Sequence, residues 1–170
     1  VGVIPGAGGC KELIARLKDP RKVFELIGMA KVSSSAENAR ELGLLDKSAL
    51  ISMNPERLIA DARQLALSLA STYRPGTPRT DIKVMGDSGF APLKVGAWLM
   101  RQANYISDYD VVVAETLGRV LTGGNLTGEH QVSEQYLLDL EREAFLSLCG
   151  RPETQARMAH MLETGKPLRN

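Results

Sequence analysis

Three glycines within four residues near the start of the chain have the clearest chemical potential. Gly6, Gly8 and Gly9 follow the apolar run 1–5 and lead directly into a helical pattern that starts at Cys10. Glycine lets the backbone take positive φ and come close to another group. The first N–H groups of a helix have no partner within it and lie at the positive end of its dipole. This bend could therefore hold an anion, a carbonyl oxygen or a water molecule.

The alternative is that the glycines only shape a strand-to-helix turn. Two nucleotide-binding motifs do not match this bend. A dinucleotide-binding fingerprint needs a third glycine where Lys11 stands, and a Walker-type phosphate loop needs Gly-Lys followed by Ser or Thr. The spacing alone leaves a ligand role and a purely geometric role open.

Two motifs at the expected separation resemble a known enzyme family. They are Gly2-x-Ile4-Pro5-Gly6-x-Gly8-Gly9 and Ser34-Ser35-Ala36-Glu37-Asn38-Ala39-x-x-Leu42-Gly43-Leu44-Leu45-Asp46, which resemble the second half of the crotonase (enoyl-CoA hydratase/isomerase) fold. The stretch from Gly150 to Asn170 is similar to the C-terminus of bacterial multifunctional 3-hydroxyacyl-CoA dehydrogenases, in which a crotonase-like region comes last. Residues 1–74 match crotonases broadly, and residues 75–170 match only the narrower group.

The resemblance implies how this chain would contribute to a catalytic site. In hydratases of the family, the amide of the glycine after the proline helps to hold the catalytic water, and Gly6 matches that position. Pro5, Gly8 and Gly9 match the surrounding turn at the substrate, while Cys10 stands where many crotonases have Thr. The acid-base glutamates and oxyanion-hole amides of the family come from residues upstream of the bend. The chain is therefore expected to be a C-terminal fragment that is inactive alone.

The resemblance also implies the chemistry of the parent protein. Backbone N–H groups would polarise the thioester carbonyl of an acyl-CoA without a metal, and carboxylates would add water by general acid-base action. Coenzyme A would be the acyl carrier. NAD would bind to a dehydrogenase region and not to this chain. The expected partners are the acyl-CoA substrate, the upstream dehydrogenase and crotonase regions, and further copies in a homo-oligomer.

Composition and charge give no reason to expect nucleic acid or a membrane. Hydrophobic residues make up 44% of the 170 residues, and 21 basic against 20 acidic side chains leave a net charge of +1. Cys10 and Cys149 lack metal-type spacing, so a reducing, cytoplasmic setting without a metal site is expected. Neither a signal peptide nor an apolar run near the roughly 18 residues of a membrane span is visible.

Capping residues, prolines and glycines predict a succession of helices. Ser34 and Glu37 have the spacing of a capping box, which predicts a short helix over 35–42 that ends at Gly43. Asp19 is the predicted N-cap of a helix that has a proline at its first position. Further helices are predicted to begin near Cys10, Asn54-Pro55, Pro92, Ser107, Val132 and Pro152.

Two helices carry apolar faces that are expected to be buried. The helix after Pro55 has a stripe at helical spacing that consists of Leu58, Ile59, Ala62, Leu65, Ala66, Leu69, Ala70 and Tyr73. A later helix places Trp98 on one face with Val95 and Leu99, where the indole is expected to anchor the core. His130 has no partner of catalytic type nearby in the sequence, so no catalytic role is expected for it.

A stretch rich in Pro, Gly, Ser and Thr over 75–90 is predicted to be a loop and a boundary. Residues 1–74 are predicted to be the C-terminal part of a crotonase-like α/β core, with short strands at most near 1–4 and 44–53. Residues 91–170 are predicted to form an all-helical C-terminal subdomain. The fold class is therefore mainly α.

Two functions of different classes remain open. The first is a C-terminal fragment of a fatty-acid β-oxidation enzyme, a 3-hydroxyacyl-CoA dehydrogenase/enoyl-CoA hydratase, to which the chain contributes the glycine bend and helical packing. The second is a non-catalytic helical assembly module in which the bend serves only packing. Neither acyl chain length nor the choice between hydration and isomerisation follows from the sequence.

Overall fold

The computed structural model describes all residues from Val1 to Asn170, and its regular structure is almost entirely helical. The prediction of a mainly α fold is confirmed. The helices are α1 (Gly9–Leu17), α2 (Pro20–Gly28), α3 (Ala36–Leu42), α4 (Leu58–Ala70), α5 (Gly86–Gln102), α6 (Asp108–Thr122), α7 (Glu134–Cys149) and α8 (Pro152–Thr164). A 3-10 turn at Pro55–Arg57 precedes α4. None of the helices combines the length and the apolar composition needed to cross a bilayer.

The two strands are short and form one antiparallel pair. β1 (Ile82–Val84) and β2 (His130–Val132) are aligned so that Lys83 lies opposite Gln131. The strand positions expected from the sequence, 1–4 and 44–53, are wrong, because neither stretch forms a strand. β1 falls within the predicted loop and β2 within the part predicted to be all-helical. Three residues are too few for an alternating pattern to separate a strand from a loop.

The chain divides into two compact units. Unit 1 consists of residues 1–32 and 79–170, and unit 2 consists of residues 33–78. The glycine bend, α1 and α2 therefore belong with α5 to α8, whereas the sequence grouped them with residues 33–74. This division arises because apolar side chains of α1 and α2 pack on α6. The interpretation of residues 1–74 as part of a crotonase-like core, and of residues 91–170 as a helical C-terminal subdomain, stays a prediction.

The core of unit 1 is centred on α6. Its fully buried leucines, Leu117 and Leu121, contact a cluster drawn from α1, α2, α7 and the two strands. The other buried members of the cluster are Ile4, Cys10, Ile14, Val23, Ile82, Val84, Val120, Leu137 and Leu148. Each fully buried leucine contributes about 2 kcal/mol of hydrophobic free energy, so the cluster holds the N-terminal residues to α6 and α7.

Local capping sets two of the helix starts as predicted. The Asp19 carboxylate accepts the amides of Arg21 and Lys22 at 3.0 and 3.2 Å before α2. Ser107 and Asp110 form a complete capping box before α6, since the Ser107 hydroxyl accepts the Asp110 amide at 3.1 Å and the Asp110 carboxylate accepts the Ser107 amide at 2.9 Å. Each such cap is worth about 1 kcal/mol.

The start of α3 differs from the prediction by one residue. Ser35 is the N-cap and accepts the amide of Asn38 at 3.0 Å, while the Asn38 side chain accepts the amide of Ser34 at 3.2 Å. Glu37 instead pairs with Arg40 at 2.8 Å. The predicted capping box of Ser34 and Glu37 is therefore wrong, because the Asn38 carboxamide supplies the acceptor that was expected from the glutamate.

α5 begins six residues before its predicted start at Pro92. Gly86 has a φ of 57°, and the Asp87 amide donates to the carbonyl oxygen of Leu126 at 2.8 Å. An added Cβ on Gly86 would lie 2.3 Å from that same carbonyl oxygen. This non-local contact fixes the helix start, and Pro92 lies inside the helix.

Trp98 lies on the outer face of α5, with 55% of its surface exposed. The prediction that it anchors the core is wrong. α5 instead buries Phe90, Leu93 and Ala97. Successive helical residues are about 100° apart, so the position next to Ala97 falls outside the buried stripe.

Unit 2 contains α3, the 3-10 turn and α4. α4 is confirmed as a helix, but none of its residues is buried, and Ile59 is 83% exposed. The expectation that its apolar stripe is buried is therefore wrong for the chain as described. An apolar stripe on a helix is normally buried against another apolar surface. Unit 2 has no second layer of helices that could bury it.

Candidate functional site

The glycine bend lies at the N-terminal end of α1. Gly8 is the N-cap of the helix and has a φ of 96°, which glycine adopts without steric cost. Gly9 lies against Pro5, since an added Cβ on Gly9 would be 2.9 Å from the proline Cβ. Pro5, Gly8 and Gly9 are thus parts of one tight turn. Their contact with a substrate stays a prediction.

A buried carboxylate binds the donor end of this bend. Glu141 of α7 is 1% exposed. Its Oε1 accepts the amide of Gly8 at 2.7 Å, and its Oε2 accepts the amide of Lys11 at 3.0 Å. The N-terminal end of a helix favours a negative charge. In this protein the carboxylate of Glu141 occupies that position.

Gly6 lies on the exposed side of the bend, next to Phe145 of α7. An added Cβ on Gly6 would be 2.6 Å from Cγ of Phe145, so the ring leaves no room for a side chain. The amides of Gly6 and Ala7 donate to no protein atom, and both residues are exposed. These two donors remain free for a water molecule or a carbonyl oxygen. The water-holding role of the Gly6 amide stays a prediction.

Cys10 is buried directly beneath the bend. It is 0% exposed, and its Sγ lies 3.9 Å from the carbonyl oxygen of Pro5. Burial, and then the charge of Glu141, raise the pKa of the thiol far above its usual value. Because the thiolate is the reactive form of cysteine, Cys10 is a packing residue at this position.

Four charged side chains connect α1 to the start of α7 and to the segment before β1. Lys11 pairs with Glu134 and, at 3.2 Å, with Glu12. Arg79 bonds to Glu12 at 2.7 Å and to Glu134 at 3.4 Å, and its backbone amide donates to Glu134 at 3.2 Å. The hydrogen bond from Lys11 is the main cause that lowers the pKa of Glu134 to about 2, and the same bond raises the pKa of Lys11.

α6 and α8 hold the residues that lead into the bend. The Thr154 hydroxyl donates to the carbonyl oxygen of Gly2 at 2.7 Å. The Tyr109 hydroxyl lies 2.6 Å from the Thr154 oxygen. Because Thr154 has already used its one hydrogen, Tyr109 is the donor in this second bond. The guanidinium of Arg157 pairs with Asp110 at 2.7 Å and lies 5.1 Å from the centre of the Tyr109 ring. The bend is therefore fixed from α6 and α8 as well as from α7.

Two shallow cavities of unit 1 lie away from the bend. One, of about 180 Å³, is next to Lys18 and Lys83. The other, of about 370 Å³, lies among α5, α6 and Arg151. No three side chains of His, Cys, Asp or Glu are grouped as metal ligands. What the bend offers chemically is therefore the free backbone amides of the exposed residues Gly6 and Ala7 on a firmly held turn.

No motif marks Glu141 as a site residue, although the sequence contains a signal for its burial. It lies four residues after Leu137 and seven before Leu148, both fully buried, so it falls on the apolar face of α7. A charged residue on such a face must find hydrogen-bond partners in the interior. The sequence does not reveal that the partner is the start of α1.

The chain is similar over its whole length to one part of a longer protein. It is 49% identical, over 179 aligned residues, to a probable 3-hydroxyacyl-CoA dehydrogenase of Bacillus subtilis (strain 168). The match covers all of this chain and 23% of that protein, so the chain spans about a quarter of the length of the curated relative. No family model matches the chain, and no solved structure matches it. The crotonase resemblance thus rests on the motifs alone.

We expect Glu141→Gln to lower the free energy of unfolding by about 2 kcal/mol. The carboxamide keeps one acceptor oxygen but turns its NH₂ group toward the other backbone amide, which leaves a buried donor without a partner. Urea unfolding followed by circular dichroism measures the change. The control is Glu143→Gln, at an exposed position of the same helix, which should change the free energy by less than about 0.5 kcal/mol. Equal losses in both variants would contradict a special role for Glu141.

Gly6→Ala should destabilise the protein by about 1–3 kcal/mol, because the methyl group overlaps the Phe145 ring. Combination with Phe145→Ala should remove most of this penalty, giving non-additive effects in a double-mutant cycle of thermal or urea unfolding. Gly96→Ala is the control, since an added Cβ there meets nothing within 4 Å, and it should stabilise α5 by about 0.5–1 kcal/mol. Strict additivity of Gly6→Ala and Phe145→Ala would show that the ring does not shape the bend.

Glu134→Gln should lower the free energy of unfolding by about 1–2 kcal/mol at pH 7, because it weakens charged hydrogen bonds to Lys11 and Arg79. The pKa of Glu134 is lowered on folding, from its usual 4.5 to about 2. Its contribution is therefore complete above pH 4.5 and is lost as the pH falls toward 2.

Urea unfolding of both proteins at pH 7 and at lower pH measures this dependence. The difference between wild type and Glu134→Gln should stay constant from pH 7 to about 5 and shrink below that. Asp139→Asn is the control, since its pair with Arg142 at 3.1 Å is exposed, and exposed pairs contribute little. A difference that grows on acidification would contradict the assignment.

Proposed function

We propose that this chain works within a longer fatty-acid β-oxidation protein that combines 3-hydroxyacyl-CoA dehydrogenase and enoyl-CoA hydratase activities. The observation that carries the proposal is the similarity of the whole chain to a quarter of a probable 3-hydroxyacyl-CoA dehydrogenase. The resemblance of the glycine bend and of residues 34–46 to crotonases adds the hydratase component. The acyl-CoA thioester is the proposed substrate, and the remaining regions of the same protein are the proposed partners.

In this proposal the chain supplies a rigid bend at the edge of the thioester site. The free amide of Gly6 donates to the attacking water, and the engaged amides of Gly8 and Lys11 hold the turn in place through Glu141. Preorganised donors of this kind act because they need no rearrangement when charge develops in the transition state. The acid-base carboxylates come from the part of the crotonase-like region that the resemblance places outside this chain.

NAD does not fit the glycine bend. Lys11 stands where a dinucleotide fingerprint needs its third glycine. The amides of Gly8 and Lys11, which would face a pyrophosphate, already bind the carboxylate of Glu141. We therefore place the binding site of the nicotinamide cofactor in another region of the longer protein. The proposed role of this chain does not involve that cofactor.

A chimera tests the proposed function. The matching quarter of the Bacillus protein is replaced by residues 1–170 of this chain, and two reactions are measured: hydration of a 2-enoyl-CoA and NAD-dependent oxidation of a 3-hydroxyacyl-CoA. We expect the chimera to catalyse both reactions and the deletion variant to retain only oxidation. The isolated chain should catalyse neither, because its bend has donors but no acid-base pair.

Gly6→Ala in the chimera tests the role of the bend in hydration, provided that circular dichroism shows the variant to be folded at the assay temperature. We expect kcat for hydration to fall by about tenfold or more, because displacement of one preorganised donor raises the barrier, while the oxidation rate is unchanged. Gly96→Ala should leave both rates unchanged. Substantial hydration by the isolated chain, or full hydration after deletion of the matching quarter, would overturn the proposal.

The assembly module is the second candidate function, and the exposed apolar stripe of α4 favours it. Leu58, Ile59 and Leu69 are each more than half exposed, and apolar faces of this kind commonly mark interaction surfaces. Under this function, deletion of the segment would dissociate the homo-oligomer without changing hydration per protomer. Sedimentation of the chimera and of the deletion variant distinguishes the two functions in the same experiment.

A further inference from the structure

We propose that the larger cleft of unit 1 binds the phosphate group of a small organic phosphate. The cleft has a volume of about 370 Å³ and lies between α5 and α6 beside the junction of α7 and α8. Its lining residues are Phe90, Lys94, Glu115, Thr116, Arg119 and Arg151, together with Val112. None of them belongs to the glycine bend, so the inference does not depend on the proposed function.

The side chains that line the cleft carry an excess of positive charge. The lining contains three cations, Lys94, Arg119 and Arg151, and one carboxylate, Glu115. Arg119 also pairs with Asp87 outside the lining, so three positive charges face two negative ones and the net charge is +1. The Lys94 ammonium is 3.6 Å from the Glu115 carboxylate, outside ordinary hydrogen-bond distance. The guanidinium of Arg151 makes no ion pair and no hydrogen bond within the protein. Two of the three cations thus have weak or no internal partners.

Arg119 is held in a fixed orientation at the wall of the cleft. Its guanidinium carbon lies 3.9 Å from the centre of the Phe90 ring, a distance typical of cation–π stacking. Nη1 donates to Asp87 at 2.6 Å, and the other guanidinium nitrogens donate to no protein atom. With 40% of the side chain exposed, the free edge of the guanidinium can meet a ligand without rearrangement. A planar, pre-oriented guanidinium is well suited to a phosphate.

The arrangement favours a phosphate over other anions. A phosphate group has several oxygens, which can accept hydrogen bonds from two guanidinium groups and one ammonium group at once. Such charge-assisted hydrogen bonds are stronger than neutral ones. The Thr116 hydroxyl donates to the carbonyl oxygen of Val112 at 2.8 Å, so recognition depends on the cations. The volume of about 370 Å³ leaves room for more than a bare phosphate ion, so the proposal is for an organic phosphate. A free nucleotide and the phosphorylated end of coenzyme A share this chemistry.

Calorimetric titration of the 170-residue chain with ADP, with adenosine as the uncharged control, tests the proposal. We expect ADP to bind, adenosine not to bind, and the affinity for ADP to fall with added salt. Arg151→Gln and Lys94→Gln should each weaken ADP binding by about fivefold, because each removes one charge-assisted contact. Arg142→Gln, an exposed arginine of α7 outside the cleft, is the matched control and should bind ADP as wild type does.

Several outcomes would overturn the proposal. They are the absence of binding, equal binding of adenosine and ADP, and equal weakening by Arg142→Gln and Arg151→Gln, which would indicate a diffuse attraction of surface charge. Circular dichroism of each variant checks that the fold is retained.

Titration with coenzyme A separates the two sources of the phosphate. Coenzyme A that binds at least about tenfold more tightly than ADP, with the same loss in Arg151→Gln, supports the cleft and identifies the coenzyme as its ligand. Equal affinities support the cleft as a site for free nucleotides. If Arg151→Gln changes neither affinity, the cleft is not the binding site. The hydration assays on the chimera report on the glycine bend, so failure of one proposal leaves the other standing.

Discussion

The contact between the Glu141 carboxylate and the first amides of α1 is the interaction on which the arrangement of the N-terminal bend depends. It joins residues 133 positions apart, and the Glu141 side chain that makes it is buried. A buried carboxylate is costly unless hydrogen bonds satisfy it, and here both oxygens accept a backbone N–H at a helix N-terminus, where the dipole adds to the stabilisation. α1 cannot shift relative to α7 without leaving a charge and two donors unpaired.

The same contact divides the amides of the bend into two groups. The inner donors of Gly8 and Lys11 are occupied by the protein's own carboxylate, whereas the outer donors belong to the exposed residues Gly6 and Ala7 and donate to no protein atom. A ligand on the exposed side of the bend would therefore meet the outer pair. The carboxylate also excludes a second anion from the inner donors, because two negative charges at one helix terminus would repel each other. The bend suits a neutral acceptor such as water or a carbonyl oxygen.

Features set by neighbouring residues could be predicted from the sequence, and features set by distant residues could not. Asp19 and the Ser107–Asp110 pair cap their helices with bonds that span three residues or fewer, so their spacing is enough to place them. The start of α5 depends on a contact between Asp87 and Leu126, 39 positions along the chain, and no local pattern reports it. Glu141 stands between these cases, because its place on an apolar face signals burial while its partner on α1 is hidden. For the bend, the turn itself was predictable, and the occupied amides were not.

The two units differ in what stabilises their helices. The helices of unit 1 that surround α6 are held by a buried cluster, whereas α4 in unit 2 has no buried residue. α4 depends on local bonds, such as the Asn54 cap at 3.0 Å and the 2.5 Å contact from Ser52 to Asp61. Helices of about this length are marginal in water without tertiary packing, so unit 2 belongs to the low-stability end of the chain. A surface that covers the α4 stripe would contribute the burial that unit 2 lacks, which gives a physical reason for association at this helix whether or not the bend takes part in catalysis.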